Sequence, residues 1–201
     1  MLFPTLSTAL LALASLASAK PVVAASSTHA AGAGAAGSSS STSTVPAAPG
    51  FKWLYTAMVL CPANVMPNVT SPQGVRKAIP IVGGNVTMAD GSEWKIRDLG
   101  ADWGTVDPRT GIFTADTRYN AYNSKGDDLF FQTSGPGQAA GGLHLRAKIE
   151  TGSEEYYWLN HVVAVGILNN LGADAKNVST LRIDVFNFDD DRNATNTKLL
   201  F

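Results

Sequence analysis

The chain has 201 residues, of which 15 are Lys or Arg and 16 are Asp or Glu, giving a formal charge of −1. With no basic block standing out, that balance excludes electrostatic capture of nucleic acid or anionic lipid and points to a small or neutral partner. A single cysteine, Cys61, excludes an intrachain disulfide framework, so stability has to come from an apolar core.

In chain order, residues 1–19 are apolar and uncharged and close on the small-x-small triplet Ala17-Ser18-Ala19. This predicts a signal peptide cleaved after Ala19, too short to span a bilayer, with delivery to the secretory-pathway lumen or outside the cell and no membrane attachment after cleavage. Residues 20–50 are almost entirely Ala, Ser, Thr, Gly, Pro and Val, including His29. Such side chains bury too little surface to offset ordering, so a disordered linker or stalk is expected there, with His29 inert. Residues 51–201 then form one domain. Sequons at Asn68, Asn85, Asn177 and Asn193 agree with a glycosylating pathway and mark surface positions.

Alternation predicts strands through the whole domain. Phe51, Trp53, Tyr55, Ala57 and Val59 fall on one face of the first. Residues 78–82 read as a second, either stopped or bulged at Gly83-Gly84, with a resumption over 85–87 as one option. Residues 93–97 alternate again, and the turn Asp107-Pro108-Arg109-Thr110-Gly111 leads into a long strand from Ile112 to about Asn123. Strands over 129–133, 143–150, 156–167 and 181–188 complete a set of about eight, with no convincing helix. An all-β, antiparallel eight-stranded barrel, closed or nearly so, is the expected fold because closure removes exposed edges; a β-sandwich is the alternative. A barrel of that size has room for one small ligand.

In the strand from Ile112, Thr114, Asp116, Arg118, Asn120 and Tyr122 share a face that is either solvated or the wall of a polar pocket; Tyr119 lies on the opposite face. Trp158 and Asn160 share a face of the 156–167 strand and read as pocket floor and hydrogen-bonding group. Cys61 ends a strand-like run and is expected to be buried and inert. Three dispersed histidines give no metal-ligand spacing, and Asp189-Asp190-Asp191 lacks the glycine and glutamate of a calcium loop, so no metal is expected. Phosphate-binding glycine loops and a serine nucleophile elbow are absent too, and no cofactor is expected.

The ordered series Gly83-Gly84, Gly100-Ala101-Asp102-Trp103, Asp116-Thr117-Arg118-Tyr119, Glu150-Thr151-Gly152-Ser153 and Tyr157-Trp158-Leu159-Asn160 resembles the DUF3237 (UPF0311) family of bacterial and fungal proteins. The chain looks like a secreted fungal-type member, and the resemblance covers Phe51 to Phe188. It implies a calycin or allene-oxide-cyclase-like β-barrel. The family's Asp-Asp-Gly hairpin is altered here to Lys125-Gly126-Asp127-Asp128, and the N-terminal stalk lies outside the family pattern.

Asp102 and Glu150, with Arg118 and the amide of Asn160, are the candidates for an acid/base and oxyanion-binding set if the barrel brings them together. The competing reading makes Arg118 and one of the acids a structural buried ion pair. Trp103, Tyr119, Trp158 and Asn160 are the candidates for holding substrate. The resulting expectation is a cofactor-independent isomerase or cyclase of a small aromatic or polyketide-like secondary metabolite. Alternatives are a non-catalytic secreted barrel that binds a small hydrophobic molecule, or a surface protein in which the stalk is the functional element. The sequence leaves self-association into a homo-oligomer open.

Overall fold

The computed structural model describes residues 48–63 and 68–189. The expected signal peptide, the linker up to residue 47 with His29, the Asn193 sequon and the acidic residues Asp190 and Asp191 lie outside the described residues. The strands are β1 (Gly50–Pro62), β2 (Val69–Ser71), β3 (Gly74–Arg76), β4 (Ile79–Ile81), β5 (Gly83–Met88), β6 (Glu93–Ile96), β7 (Gly100–Asp102), β8 (Thr105–Val106), β9 (Phe113–Tyr122), β10 (Asp128–Pro136), β11 (Leu143–Glu150), β12 (Ala164–Ala173) and β13 (Val178–Asp189). All pairings between them are antiparallel. They run β9-β10-β11-β12-β13-β1-β5-β6 and return to β9, an eight-stranded closed barrel. Along β9, β6 hands over to β7 and then β8, through the pairs Ile96 with Ala121, Ala101 with Arg118 and Val106 with Phe113. β4 pairs with β7 below the β5–β6 pair, so two of the eight staves are broken strands.

Alternation decides which side chains fill the interior. On β9, Ala115, Thr117, Tyr119 and Ala121 are buried, while Arg118 between them is exposed. The face carrying Thr114, Asp116, Arg118, Asn120 and Tyr122 is therefore the outer wall. The largest interior side chains, Trp94, Tyr55, Tyr119, Phe131, Ile81 and Leu129, are contributed by β6, β1, β9, β10 and β4, with Phe131 and Leu129 both on β10. Tyr119 stacks on Phe131 with ring centroids 5.0 Å apart, and Tyr55 approaches the same ring edge-on at 5.2 Å.

Two sequence expectations need correction. The first strand does not keep one face, because a bulge between Trp53 and Tyr55 leaves Leu54 and Tyr55 both buried and Phe51 and Trp53 exposed. An extra residue in one strand reverses the phase of everything before it. Residues 156–163 are not strand either. Residues Tyr157–His161 form a 3-10 turn, with the Leu159 N–H donating to the Tyr156 carbonyl at 2.9 Å. Tyr156 and Leu159 are the buried pair, the three-residue repeat of that turn. Asn160 holds it in place: its Nδ2 donates to the carbonyls of Thr151 at 2.9 Å and Tyr157 at 2.8 Å, and its Oδ1 accepts from the Thr151 N–H at 3.0 Å.

Candidate functional site

Asp102 is the one interior carboxylate among the described residues, with 4% of its surface exposed. It ends β7, which approaches β9 closely because residue 100 is glycine: a Cβ there would lie 2.6 Å from the Tyr119 Cβ. Its Oδ1 accepts the Asp116 N–H at 2.9 Å. Desolvation, reinforced by the Asp116 charge and partly offset by the Asp116 and Gly104 N–H groups, pushes its pKa up to about 6.

Around it the barrel interior is polar at several staves. Thr117 is the cross-strand partner of Asp102, and Thr133 that of Thr117, so the three form a row across β7, β9 and β10. The Thr117 Oγ1 donates to the Thr133 carbonyl at 3.0 Å and lies in short contact with the Thr133 hydroxyl. Cys61 is buried, and desolvation first and the Asp102 charge second push its thiol up to about 12. Cys61 in turn acts on Tyr119, and Tyr119 on Tyr55, both phenols being held well above their ordinary range chiefly by burial. Both hydroxyls are closed off from solvent, and each acts on the other: Tyr119 raises the Tyr55 phenol further, whereas Tyr55 partly offsets the rise at Tyr119.

The other expected site residues do not converge on Asp102. Arg118 points outward and pairs with Asp116, Nη1 to Oδ1 2.9 Å, rather than with Asp102 or Glu150; that pair is a surface one, not a buried one. Glu150 also lies on the outer wall, paired with Lys148 at 2.5 Å. The alternating strand puts Arg118 one residue out of phase with Thr117 and Tyr119, and Glu150 one out of phase with Ile149, which is why an acid/base set of these residues with Asp102 is not assembled. Glu150 and Asn160 instead flank an external cleft of about 460 Å³ together with Asn120 and Asp128. Trp103 and Trp158 are exposed, and Tyr119 alone of the four expected substrate-holding residues faces the interior. Tyr55 and the threonine row escaped the sequence reading. For Thr117 the signal was the buried phase of β9, Ala115-x-Thr117-x-Tyr119, which became identifiable once its opposite face proved to be solvated.

A second cavity, a groove of about 870 Å³, runs over the outside of β10 to β13 and the start of β1, with Phe51, Val165, Ile167 and Phe186 among its walls. His144 and Arg146 supply its polar rim. Among the described residues no three His, Cys, Asp or Glu side chains cluster as metal ligands, and no helix is long and apolar enough to cross a membrane.

Residues 49–141 match the family model DUF3237, described as a protein of unknown function. This supports membership of the DUF3237 family. The matched stretch runs from the residue before β1 to the loop after β10. It contains Tyr55, Cys61, Asp102, Thr117, Tyr119 and Thr133, whereas Glu150, Trp158 and Asn160 lie beyond it. Among solved structures, the chain is similar to a β-barrel-like protein from Acinetobacter baumannii AYE, at 27% identity and TM-score 0.59, covering 72% of this chain and 99% of that one. A conserved protein of unknown function from Rhodopseudomonas palustris matches at 21% identity and TM-score 0.60 over 71% of this chain and 99% of its own. An enzyme from Penicillium herquei matches at 19% identity and TM-score 0.54 over 73% and 98%. At those last two identities the likeness is one of fold. No curated protein matches the chain.

Proposed function

We propose that this barrel is a cofactor-independent isomerase or cyclase of a small aromatic or polyketide-like secondary metabolite, with Asp102 moving a proton inside the barrel. The observation that carries the reading is a desolvated carboxyl with a pKa near 6 at the end of β7, facing other interior polar groups. A carboxyl so poised exists in both forms near neutrality, taking a proton from carbon as carboxylate and returning it as acid. Arg118 and Glu150, on the outer wall, have no part in this reading, and Tyr119 is the substrate-facing aromatic. Export belongs to the same proposal: Asn68 and Asn85 are exposed, as is Asn177 in the turn before β13, so the described sequons are accessible to glycosylation.

The test is solvent-deuterium incorporation into a panel of aromatic and polyketide-like ketones, followed by mass spectrometry. Asp102→Asn should lose roughly 10²–10⁴ in exchange rate, while Glu150→Gln and Arg118→Ala leave it unchanged. The wild-type rate should rise with pH through about 6 as the carboxylate base forms. An equal loss in Glu150→Gln would move the site to the outer cleft. A second reading, a non-catalytic binder of a hydrophobic molecule, is favoured by the outer groove. It predicts that Ile167→Asp abolishes uptake of an apolar fluorophore while Asp102→Asn does not.

A further inference from the structure

We infer that the outer groove over β10 to β13 binds a straight-chain alkyl carboxylate, its carboxylate on the Arg146 guanidinium and its chain lying across the sheet toward Phe51. The inference rests on the second reading above, that this groove takes a hydrophobic molecule, and names the class of that molecule. The outward phase of four strands builds the site. Ser134, Arg146, Val165 and Phe186 are successive cross-strand partners on β10, β11, β12 and β13 and form one row on the outer wall. In the next row His144 is the partner of Ile167. The groove holds about 870 Å³, within the roughly 300–1,000 Å³ of small-molecule sites. Phe51 is 52% exposed and Ile167 46%, so a hydrocarbon chain laid over them takes both out of water.

Charge selects the head of the ligand. Glu150 on β11 is engaged by Lys148, and Asp184 on β13 by Arg182 and Thr56. Among the described residues Arg146 has no carboxylate partner, and it is exposed along the groove. A guanidinium offers paired N–H donors that match the two oxygens of a carboxylate. Beyond Arg146 the walls formed by Val165, Ile167, Phe186 and Phe51 are apolar, so the rest of the ligand is hydrocarbon. Strand spacing sets its length. From β11 through β12 and β13 to β1 is three spacings, about 14 Å at ~4.8 Å each, the reach of an extended dodecyl chain.

The test is displacement of an apolar fluorophore from the full chain by dodecanoate and by dodecyltrimethylammonium, two amphiphiles with similar tails and opposite charges. Wild type should prefer dodecanoate by roughly tenfold or more, the worth of a hydrogen-bonded charge pair. Arg146→Gln should abolish the preference, Arg146→Glu should reverse it, and Arg146→Lys, which keeps the charge, should retain it in reduced form. All three should unfold at the wild-type urea midpoint, because the side chain is exposed on the outer wall. Fluorophore uptake with no preference between the two amphiphiles, or a preference that survives in Arg146→Gln, overturns the carboxylate assignment and leaves the hydrophobic-binder reading standing. If wild type takes up no fluorophore and calorimetry detects no dodecanoate binding, both fail together. Cosedimentation with phospholipid vesicles that is lost in Ile167→Asp, or a wild-type dimer that Ile167→Asp makes monomeric, also overturns the assignment, since a membrane or a second copy would then cover this face.

Discussion

Asp102 shows how one side chain couples site and stability. Its carboxyl keeps a proton up to about pH 6 in the fold, against an ordinary value of 3.8. Between those values the native state binds more protons than the unfolded chain, so this residue's contribution is full below the lower value and is lost as pH rises through the upper one. The loss is about 3 kcal/mol for a change of that size. Urea unfolding of wild type and Asp102→Asn should accordingly converge or cross with pH: on going from acid to pH 8 the variant gains about 3 kcal/mol relative to wild type. A constant difference across that range would mean that Asp102 is solvated. By contrast, the Arg118–Asp116 pair lies on the surface, and Arg118→Ala should change stability by no more than about 1 kcal/mol.

At the level of elements, one glycine and one asparagine fix how neighbouring segments meet. Gly84, the second residue of β5, has φ +127° and a position where a Cβ would sit 1.9 Å from the Met58 carbonyl oxygen. Gly84→Ala combines left-handed strain with a backbone collision, and should destabilise by more than about 2 kcal/mol in urea unfolding. Asn160→Ala removes two hydrogen bonds that tie the turn at 157–161 to Thr151 and one within the turn to the Tyr157 carbonyl, a loss of about 2 kcal/mol that should leave deuterium exchange intact because Asn160 lies outside the barrel.

These elements also mark the limit of legibility. The eight staves were readable, because each carries period-2 alternation long enough to outweigh propensity, and the interruption near Gly83-Gly84 was marked by composition, although it is a break between β4 and β5 and not a bulge. The phase of β1 was not, since a bulge at Leu54 has no glycine or proline to announce it. The aromatic run 156–160 mimics a strand in residue type and is made a turn by the Asn160 hydrogen bonds, which form only once Thr151 is folded beside it. The site suffered most. Asp102 was identifiable as an acid among aromatics, but its grouping with Arg118 and Glu150 depended on which face turned inward, and one residue of phase separates interior from solvent.

For the whole molecule, closure is what gives these side chains chemical meaning. Because β9 pairs with both β6 and β10, the sheet has an inside, and a carboxylate there is removed from water on every side. An open sheet would leave Asp102 an ordinary acid and the two phenols hydrated. Proton transfer inside the barrel therefore turns on the ionisation of one residue, and carbon-13 NMR titration of the Asp102 side-chain carboxyl, assigned by comparison with Asp102→Asn, measures it directly. A midpoint near 6 is expected. A midpoint near the ordinary value of 3.8 would contradict the account, because the carboxyl would then be in contact with solvent and the interior could not serve as the proton-transfer site.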